Sequence, residues 1–439
     1  MDNPVIIIGG GLAGCEAAWQ LLRRNHPVHL YEMKPQKFSP AHQMESLAEL
    51  VCSNSLKSNS LDNAAGLLKE EMRRLQSLII NAADETSVSA GSALAVDRIQ
   101  FSLEIEQRLQ KQKNFTLSRV EATAIPKDAL AIIATGPLTS DAMAQEIADK
   151  TDRAYLYFYD AIAPIIEADS IDMNKVFWAS RYDKGTPDYL NCPLSEEEYH
   201  RFYQALLAGE KVVARTFEDA RHFERCLPIE VLALRGKDTL AFGPMKPVGL
   251  MNPHTRELPY AVVQLRKENS AGTLLNMVGF QTKLTWPEQK RIFRLIPGLE
   301  NAEFARYGSI HRNTYINSPS LLTPTLQLKN NKNIFFAGQI TGVEGYTESA
   351  AMGLLAGLNA AFIMEGKTLQ QPPQDTAIGA LLHYISDPQS ADNFQPMNIH
   401  FGLLGGLPSK KLKKKDRHAQ YVNRALTHLH NWMINQNLY

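Results

Sequence analysis

The sequence predicts an α/β fold with a central parallel sheet, and three observations support that prediction. A short β-branched run near the N-terminus, Val5–Ile8, ends in a glycine-rich turn and is followed by a stretch with helical periodicity. A second apolar run at 130–134 ends in Thr-Gly-Pro, and a third at 333–337 opens into another glycine turn. Continuous apolar runs of this kind are typical of strands buried in a parallel sheet that helices cover on both faces.

The first turn has the spacing G-x-G-x-x-G and comprises Gly9, Gly10, Gly11, Leu12, Ala13 and Gly14. A helix is predicted over 15–24 and a second strand over 28–31, which is followed by Glu32. The first glycine permits a tight turn, the second lets a pyrophosphate approach the backbone, and the third allows close helix packing. The helix N-terminus then faces the phosphates, and Glu32 accepts a hydrogen bond from a ribose hydroxyl. The motif therefore predicts a dinucleotide site.

The later runs favour FAD over NAD as the dinucleotide. The strand at 130–134 leads into Gly136, a spacing that is typical of flavoproteins with two dinucleotide-binding halves. Gly338 and Gln339 precede a small-residue helix predicted over 348–361, whose N-terminus would face the flavin. Many flavoproteins carry an acid where Gln339 stands; glutamine still forms hydrogen bonds there and removes a repulsive charge. We predict a Rossmann-like FAD-binding domain of the glutathione-reductase type.

The order of these signals predicts that an α/β insertion domain interrupts the FAD-binding domain. Residues 1–150 are assigned to the first part of the FAD-binding domain, 151–314 to the insertion, and 315–439 to the second part with basic C-terminal helices. In the insertion, Ser195 is predicted to cap a helix, with Glu198 three residues later. Strands are predicted there at four apolar runs, 231–234, 240–242, 260–265 and 274–278.

Charge is balanced overall but not along the chain. The 439 residues include 46 Lys and Arg against 46 Asp and Glu, and 44% are hydrophobic, which excludes disorder of the whole chain. The bulk charge therefore gives no sign of a nucleic-acid partner. Residues 401–439 nevertheless hold seven Lys and Arg against one Asp, so this end is cationic and the remainder is anionic. The basic end is interpreted either as a solvated tail or as a phosphate-contacting patch.

Four cysteines, at 15, 52, 192 and 226, are too few and too unevenly spaced for a disulfide framework or a zinc site, so no metal is predicted. Reduced thiols favour a cytoplasmic location. The N-terminus lacks the pattern of a signal peptide, and no run of 18 apolar residues is present, so we expect no membrane association. Cys15 and Cys192 are interpreted as buried small hydrophobes.

Several longer blocks resemble one protein family. They include ELVCSNSLKSNSLDNAAGLLKEEMRRL at 49–75, ATGPLTSD at 134–141, CLPIEV at 226–231, GPMKPVGL at 243–250 and FFAGQITGVEGYTESAAMGLLAG at 335–357. Across nearly its whole length the chain is similar to the bacterial folate- and FAD-dependent tRNA (uracil-5-)-methyltransferases, the TrmFO family. These belong to the wider group of glucose-inhibited-division-like flavoproteins.

The resemblance implies methylation of uridine C5 in the T-arm of tRNA. The carbon would come from 5,10-methylenetetrahydrofolate, tightly bound FAD would supply a hydride, and NAD(P)H would reduce the flavin. Because uracil C5 is a poor nucleophile, a thiolate must first add at C6, and a base must later remove the C5 proton. In the family pattern Cys226 is the nucleophile and Cys52 is the base beside the flavin.

Determinants for folate and RNA are less specific. Four cations in family-like blocks are candidates for the folate glutamate or for RNA phosphates: Lys57, Arg98, Lys246 and Arg312. The segment 410–415 with Arg417, His418, Arg424 and His428 suits a tRNA backbone. Tyr346 is expected to stack on the flavin or on a flipped-out uridine. No protein partner is predicted.

Three other functions remain open. The same chemistry on ribosomal RNA would differ only in surface patches. The related flavoprotein that modifies the wobble uridine with a GTPase partner shares the glycine motif and the block at 345–357, but it is longer and has a large C-terminal helical domain. A small-molecule FAD oxidoreductase would use the same fold with incidental thiols.

Overall fold

The computed structural model describes residues 3–151, 156–212, 227–407 and 413–438. For residues 156–161, 310–312 and 414 it describes the backbone and not the side chains. Cys226 and residues 410–412 therefore lie outside the described residues, as does the side chain of Arg312. The fold is α/β, as predicted.

The strands are β1 (Val5–Ile8), β2 (Val28–Tyr31), β3 (Ser55–Ser58), β4 (Ser87–Val88), β5 (Ala93–Val96), β6 (Phe115–Ser118), β7 (Ala131–Ile133), β8 (Leu156–Ile162), β9 (Ile165–Glu167), β10 (Phe177–Ala179), β11 (Tyr189–Leu194), β12 (Ala261–Lys267), β13 (Leu274–Met277), β14 (Phe304–Arg306), β15 (Ser309–Tyr315), β16 (Gln327–Leu328) and β17 (Asn331–Phe336). The helices are α1 (Leu12–Leu22), α2 (Ala64–Arg74), α3 (Leu78–Glu85), α4 (Arg98–Gln110), α5 (Asp141–Thr151), α6 (Glu196–Ala208), α7 (Ile229–Leu234), α8 (Thr239–Phe242), α9 (Trp286–Phe293), α10 (Ser318–Leu321), α11 (Tyr346–Met364), α12 (Ala377–Ser386) and α13 (Lys414–Asn435).

A six-stranded sheet in the order β16-β17-β7-β1-β2-β6 forms the centre of the first unit. Its strands β17, β7, β1, β2 and β6 are mutually parallel, and β16 pairs antiparallel at the edge. The parallel strands point their carboxyl ends toward one edge, which is where ligands bind in such sheets. This arrangement confirms the predicted Rossmann-like fold.

Helices α1 and α11 pack with their backbones nearly in contact. A β-carbon at Gly353 would lie 2.2 Å from the carbonyl oxygen of Ala13, and one at Gly357 would lie 2.5 Å from that of Ala17. The two glycines are four residues apart and so lie on one face of α11. Glycine is required at both positions because any side chain would separate the two helices.

Helix α11 is also the one helix among the described residues that is long and apolar enough to span a membrane, although 89% of the relevant window is buried inside the protein. It packs against α1, α2 and α12, and its apolar side chains belong to the larger of two principal hydrophobic cores. Its length and composition are therefore those of a central core helix.

The second unit is built on a six-stranded antiparallel sheet in the order β10-β11-β12-β13-β9-β14. Helices α6, α7, α8 and α9 contribute to its separate hydrophobic core. The predicted capping box is present, because Ser195 accepts the N–H of Glu198 and the Glu198 carboxylate accepts that of Ser195. The antiparallel ribbon of β8 and β15 joins this unit to the parallel sheet.

Two strands predicted in the insertion are helices instead. Residues 231–234 lie in α7, and 240–242 lie in α8. Apolar runs of three or four residues have no periodicity that separates a strand from a helix. Pro228 precedes α7, and the buried Glu230 carboxylate accepts the N–H of Lys283 at 2.7 Å, which anchors this short helix. The strands predicted at 260–265 and 274–278 correspond to β12 and β13.

The packing of α1 on α11 predicts that Gly353→Ala destabilises the protein. Glycine to alanine inside a helix is ordinarily favourable by about 1 kcal/mol. Here the added methyl group would overlap Ala13, so we expect a net loss of about 1–3 kcal/mol, seen as a lower thermal midpoint and less bound flavin. Gly406→Ala is the matched control, because no atom lies within 4 Å of its β-carbon position. Equal midpoints for the two variants would contradict the prediction.

Candidate functional site

A cleft that is open to solvent lies at the carboxyl ends of β1, β7 and β17. Most of the predicted dinucleotide-binding residues line it, namely Gly9, Gly10, Gly11, Leu12, Ala13, Glu32, Gly136, Gly338, Gln339 and Tyr346. Gly14 does not line the cleft. A β-carbon at Gly14 would lie 1.9 Å from the carbonyl oxygen of Gly9, so this glycine serves the packing of α1 against its own turn.

The turn before α1 presents an open backbone to the cleft. Gly9 has a φ of +108°, a conformation that strongly favours glycine. No atom lies within 4 Å of a β-carbon position at Gly11, which leaves room for a ligand beside the backbone. Helix α1 begins at the next residue, and its first N–H groups have no partner within the helix. These features suit a pyrophosphate.

Glu32 lies at the end of β2 and is only 7% exposed. Its two carboxylate oxygens accept the backbone N–H groups of Gly10 and Lys34, each at 2.9 Å. Each carboxylate oxygen can accept a second hydrogen bond, so a ribose hydroxyl remains a possible donor. The carboxylate also ties the glycine turn to β2.

Helix α11 brings a second N-terminus to the same cleft. It starts at Tyr346, after Gly345 with a φ of +117°. Gln339 donates to the Glu344 carboxylate at 2.7 Å. The side-chain amide of Gln339 is therefore engaged with Glu344, and its predicted contact with the cofactor stays a prediction. Two helix N-termini, an open glycine turn and Glu32 together fit FAD.

The loop that carries Cys52 is held by Tyr346. The phenol oxygen of Tyr346 accepts the backbone N–H of Cys52 at 2.7 Å and that of Ser53 at 3.2 Å. Burial raises the pKa of the Tyr346 phenol well above its usual value, so the hydroxyl stays protonated. The first residue of α11 therefore fixes the thiol-bearing backbone, and the stacking of Tyr346 on the flavin or on a uridine stays a prediction.

Two arginines secure the same loop from other sides. Arg98 donates to the carbonyls of Leu50 and Val51 and forms an ion pair with the buried Glu268. Arg266, in β12 of the insertion, donates to the hydroxyl of Ser53 at 2.9 Å and to the side-chain carbonyl of Asn54 at 2.8 Å. The Cys52 loop is thus clamped between both units. The sequence analysis missed Arg266, although a cation inside an apolar strand is a signal for it.

Arg306 is a second cation that the sequence analysis missed. It is the last residue of β14 in the insertion. Its guanidinium donates to the carbonyl of Ala41 at 3.0 Å, and Ala41 adjoins the cleft residue His42. Burial and the nearby charge of Arg98 lower the pKa of Arg306, and Cys52 is among the groups whose charge acts on it. Arg98 is thus bonded to the loop that carries Cys52, and Arg306 to the segment that carries His42.

Some of the remaining predicted cations are paired with carboxylates, and others are exposed. Lys57 pairs with the buried Glu348 at 2.8 Å, and Lys246 is exposed on the insertion. In the C-terminal region, Arg424 and His428 both pair with Asp375, which fastens α13 to the body. Among the side chains described there, Lys413, Lys415 and Arg417 are exposed, and His418 contacts the carbonyl of Asp62.

The described cysteines differ in how deeply they are buried. Cys15 and Cys192 are fully buried, and burial raises the pKa of both thiols, as expected for small core residues. Cys52 is partly exposed near the cleft. Cys226 lies outside the described residues. Near the two ends of that stretch, the backbone N–H of Val212 donates to the carbonyl of Lys283, and that of Ile229 donates to the carbonyl of Gln281.

Tyr346→Phe should loosen the Cys52 loop without removing the flavin. The substitution leaves two N–H groups without their acceptor, which costs about 1–3 kcal/mol locally. We expect near-normal flavin absorbance but faster alkylation of Cys52 and lower turnover. Tyr384→Phe is the control, because it also removes a tyrosine hydroxyl. That hydroxyl donates to the carbonyl of Gln395 and does not contact the Cys52 loop. Unchanged alkylation and turnover in Tyr346→Phe would argue against this clamp.

Lys69, beneath the Lys57–Glu348 pair, predicts a pH dependence. It is fully buried, donates to the carbonyls of Ser58 and Ala65, and burial lowers its pKa to about 7. Between pH 7 and about 10.4 the unfolded chain binds this proton and the folded chain does not, so stability rises with pH. In Lys69→Met we expect this rise in thermal midpoint to disappear. Profiles that run parallel for Lys69→Met, wild type and the exposed-site control Lys113→Met would disprove it.

Comparison with known proteins identifies the family. A family model described as glucose inhibited division protein A matches residues 4–368. A protein of Syntrophus aciditrophicus (strain SB), named methylenetetrahydrofolate--tRNA-(uracil-5-)-methyltransferase TrmFO, is 62% identical over 432 residues, which cover 98% of each chain. The protein of that name from Geobacter sulfurreducens is 59% identical over 99% of each chain.

The fold has a solved counterpart. The structure of Aquifex aeolicus GidA in its form II crystal superposes with a TM-score of 0.70 at 17% identity, covering 99% of this chain and 74% of that one. At this identity the likeness concerns the fold, whereas the sequence relatives define the family. The chain belongs to the glucose inhibited division protein A family of flavoproteins and, within it, to the TrmFO group.

Proposed function

We propose that this protein transfers the one-carbon unit of 5,10-methylenetetrahydrofolate to C5 of a uridine in the T-arm of tRNA. The observation that carries the proposal is a cysteine loop clamped beside a flavin cleft: Tyr346 starts the helix that faces the cleft and also holds the backbone of Cys52. A small-molecule oxidoreductase has no need for a thiol positioned in this way. The names of relatives that match nearly the whole chain support the same activity.

The cleft residues bind FAD in this proposal. The N-terminus of α1 and the glycine turn hold the pyrophosphate, Glu32 holds the adenosine ribose, and the N-terminus of α11 faces the isoalloxazine. Bound FAD, once reduced by NAD(P)H, supplies the hydride that converts a methylene group into a methyl group. We place the reaction in the cytoplasm, where thiols stay reduced.

The two cysteines have distinct tasks. The Cys226 thiolate adds to C6 of the uracil, which makes C5 nucleophilic enough to bond the methylene carbon of the folate. The Cys52 sulfur then accepts the proton that leaves C5, the bond between the methylene carbon and the folate nitrogen N5 breaks, and N5 takes up a proton as tetrahydrofolate leaves. After hydride delivery to the exocyclic carbon, the bond from sulfur to C6 breaks. The balanced result is 5-methyluridine, tetrahydrofolate and oxidised FAD, with both thiols regenerated.

The protein's cations assist these steps. Arg98, which is bonded to the Cys52 loop, and Arg306, whose pKa the charge of Cys52 affects, stabilise negative charge on the proton-accepting sulfur. Lys57 and Arg98 are engaged with Glu348 and Glu268, so of the four cations suggested for folate or phosphate, Lys246 is the most available one with a described side chain. The exposed C-terminal cations contribute sequence-independent affinity for the tRNA backbone.

The decisive experiment follows labelled carbon. With holoenzyme, NADPH and a T-arm hairpin RNA, we expect label to pass from methylenetetrahydrofolate to uridine C5, and no label to pass from S-adenosylmethionine. Cys226→Ala should reduce the rate at least about a thousandfold, because the covalent route to an activated C5 is lost. It should also abolish covalent capture of 5-fluorouridine RNA.

Matched controls separate the possible outcomes. Cys192→Ala removes a buried thiol and should retain both labelling and capture. Transfer to ribosomal RNA fragments in preference to the T-arm would redirect the substrate assignment. A wild-type protein that reduces its flavin but labels no RNA would refute the methyltransferase proposal and favour a small-molecule oxidoreductase.

A further inference from the structure

Three aromatic rings form a stack at the surface of the insertion. The ring centroids of Trp286 and Tyr307 lie 5.6 Å apart with an interplanar angle of 14°, and those of Tyr307 and Phe304 lie 5.1 Å apart at 18°. Phe304 in turn contacts the core residue Phe293. Trp286 terminates the stack and is 62% exposed, so Tyr307 covers one part of the indole and solvent reaches the rest.

The backbone on both sides holds this stack rigidly. Trp286 is the first residue of α9. The buried Gln289 of that helix donates to the carbonyls of Leu284 and Gly308 at 2.8 and 2.9 Å, and it accepts the N–H of Gly308 at 2.7 Å. Because Gly308 follows Tyr307 directly, these bonds fix the two stacked rings to each other. Because these protein groups are already ordered, little conformational entropy of the protein would be lost when a ligand stacks on Trp286.

The stack lies close to the candidate active site. Arg306, the residue before Tyr307, donates to the carbonyl of Ala41, next to His42 of the flavin cleft. On its other side, the carbonyls of Gln281 and Lys283 accept the N–H groups of Ile229 and Val212, which flank the undescribed residues 213–226. The exposed indole therefore lies between the strand that reaches the cleft through Arg306 and the segment 281–283, which accepts the N–H groups of Val212 and Ile229.

Charge around the indole is positive. Residues 283–294 contain four cations, Lys283, Lys290, Arg291 and Arg294, against Glu288, and Glu303 of the neighbouring segment pairs with Lys290 and Arg294, so these side chains carry a balance of +2. The Lys290 and Arg291 side chains are about half-exposed, so phosphates can compete with the paired carboxylates. An exposed aromatic face among cations has the chemistry of single-stranded nucleic-acid sites, where a base stacks and its phosphates pair with cations.

We propose that Trp286 stacks on an unpaired nucleobase of the RNA substrate, while cations of α9 contact the adjoining phosphates. This inference rests on the proposed function, which supplies an RNA substrate. Its occupant is a base in the loop of the RNA hairpin rather than a second copy of this chain or a protein partner, because the surrounding charge is cationic. Trp286 is a binding residue here and takes no part in bond making.

The test measures RNA affinity of the holoenzyme with a fluorescent T-arm hairpin. Loss of one stacked base should weaken binding about tenfold in Trp286→Ala, whereas Trp286→Phe should stay within about threefold of wild type. The slope of log affinity against log salt should not change in Trp286→Ala, but Lys290→Gln should reduce it by about 0.7–0.9. Trp178→Ala is the matched control, since that indole is also partly exposed but lies beneath the Lys267 ammonium.

The outcomes are distinct. Flavin content, thermal midpoint and NADPH oxidation without RNA should be unchanged in Trp286→Ala, which excludes misfolding. Equal RNA affinity of Trp286→Ala and wild type, with wild-type labelling of RNA intact, overturns the stacking site and leaves the proposed function standing. Failure of the wild type itself to bind RNA overturns both. A changed sedimentation coefficient with unchanged RNA affinity would assign the indole to a second copy and also overturn it.

Discussion

The near contact between the backbones of α1 and α11 is the constraint on which the rest of this structure depends. Gly353 and Gly357 allow α11 to lie against Ala13 and Ala17, so two helices from opposite ends of the chain start at one cleft. A helix N-terminus carries unpaired N–H groups and a partial positive charge. Two such ends give the cleft its affinity for an anionic dinucleotide without any net positive charge on the protein.

The same helix start connects cofactor binding to thiol placement. Tyr346 opens α11 and its phenol holds the N–H groups of Cys52 and Ser53, while Arg266 reaches the same loop from the insertion. The position of Cys52 therefore depends on the seating of the insertion as well as on the flavin-binding sheet. The aromatic stack that ends at Trp286 extends this arrangement outward, because Arg306 links its strand to the cleft.

Sequence reasoning succeeded where a short segment contains its own physical cause. The glycine turn, β1, β2 and α11 could be predicted because apolar runs, glycine spacing and helical periodicity act within about twenty residues. It failed at 231–234, where contacts from the distant Thr282 and Lys283 to Glu230 hold a helix that begins after Pro228. It failed also at 240–242, where three apolar residues have no periodicity that separates a strand from a helix.

The sequence by itself determined the α/β class, the dinucleotide turn and the membership that the longer blocks indicate, since these follow from local patterns and from identity along the chain. Only the tertiary structure decided which cations act near Cys52. Arg266 and Arg306 are more than 200 residues away from it in sequence, and although the apolar strand around Arg266 marks that cation as unusual, no local pattern identifies Cys52 as its partner. Cys15 and Cys192 lie in the core as the sequence predicted, whereas the partial exposure of Cys52 was decided by the packing around it, on which a thiol's access to substrate depends.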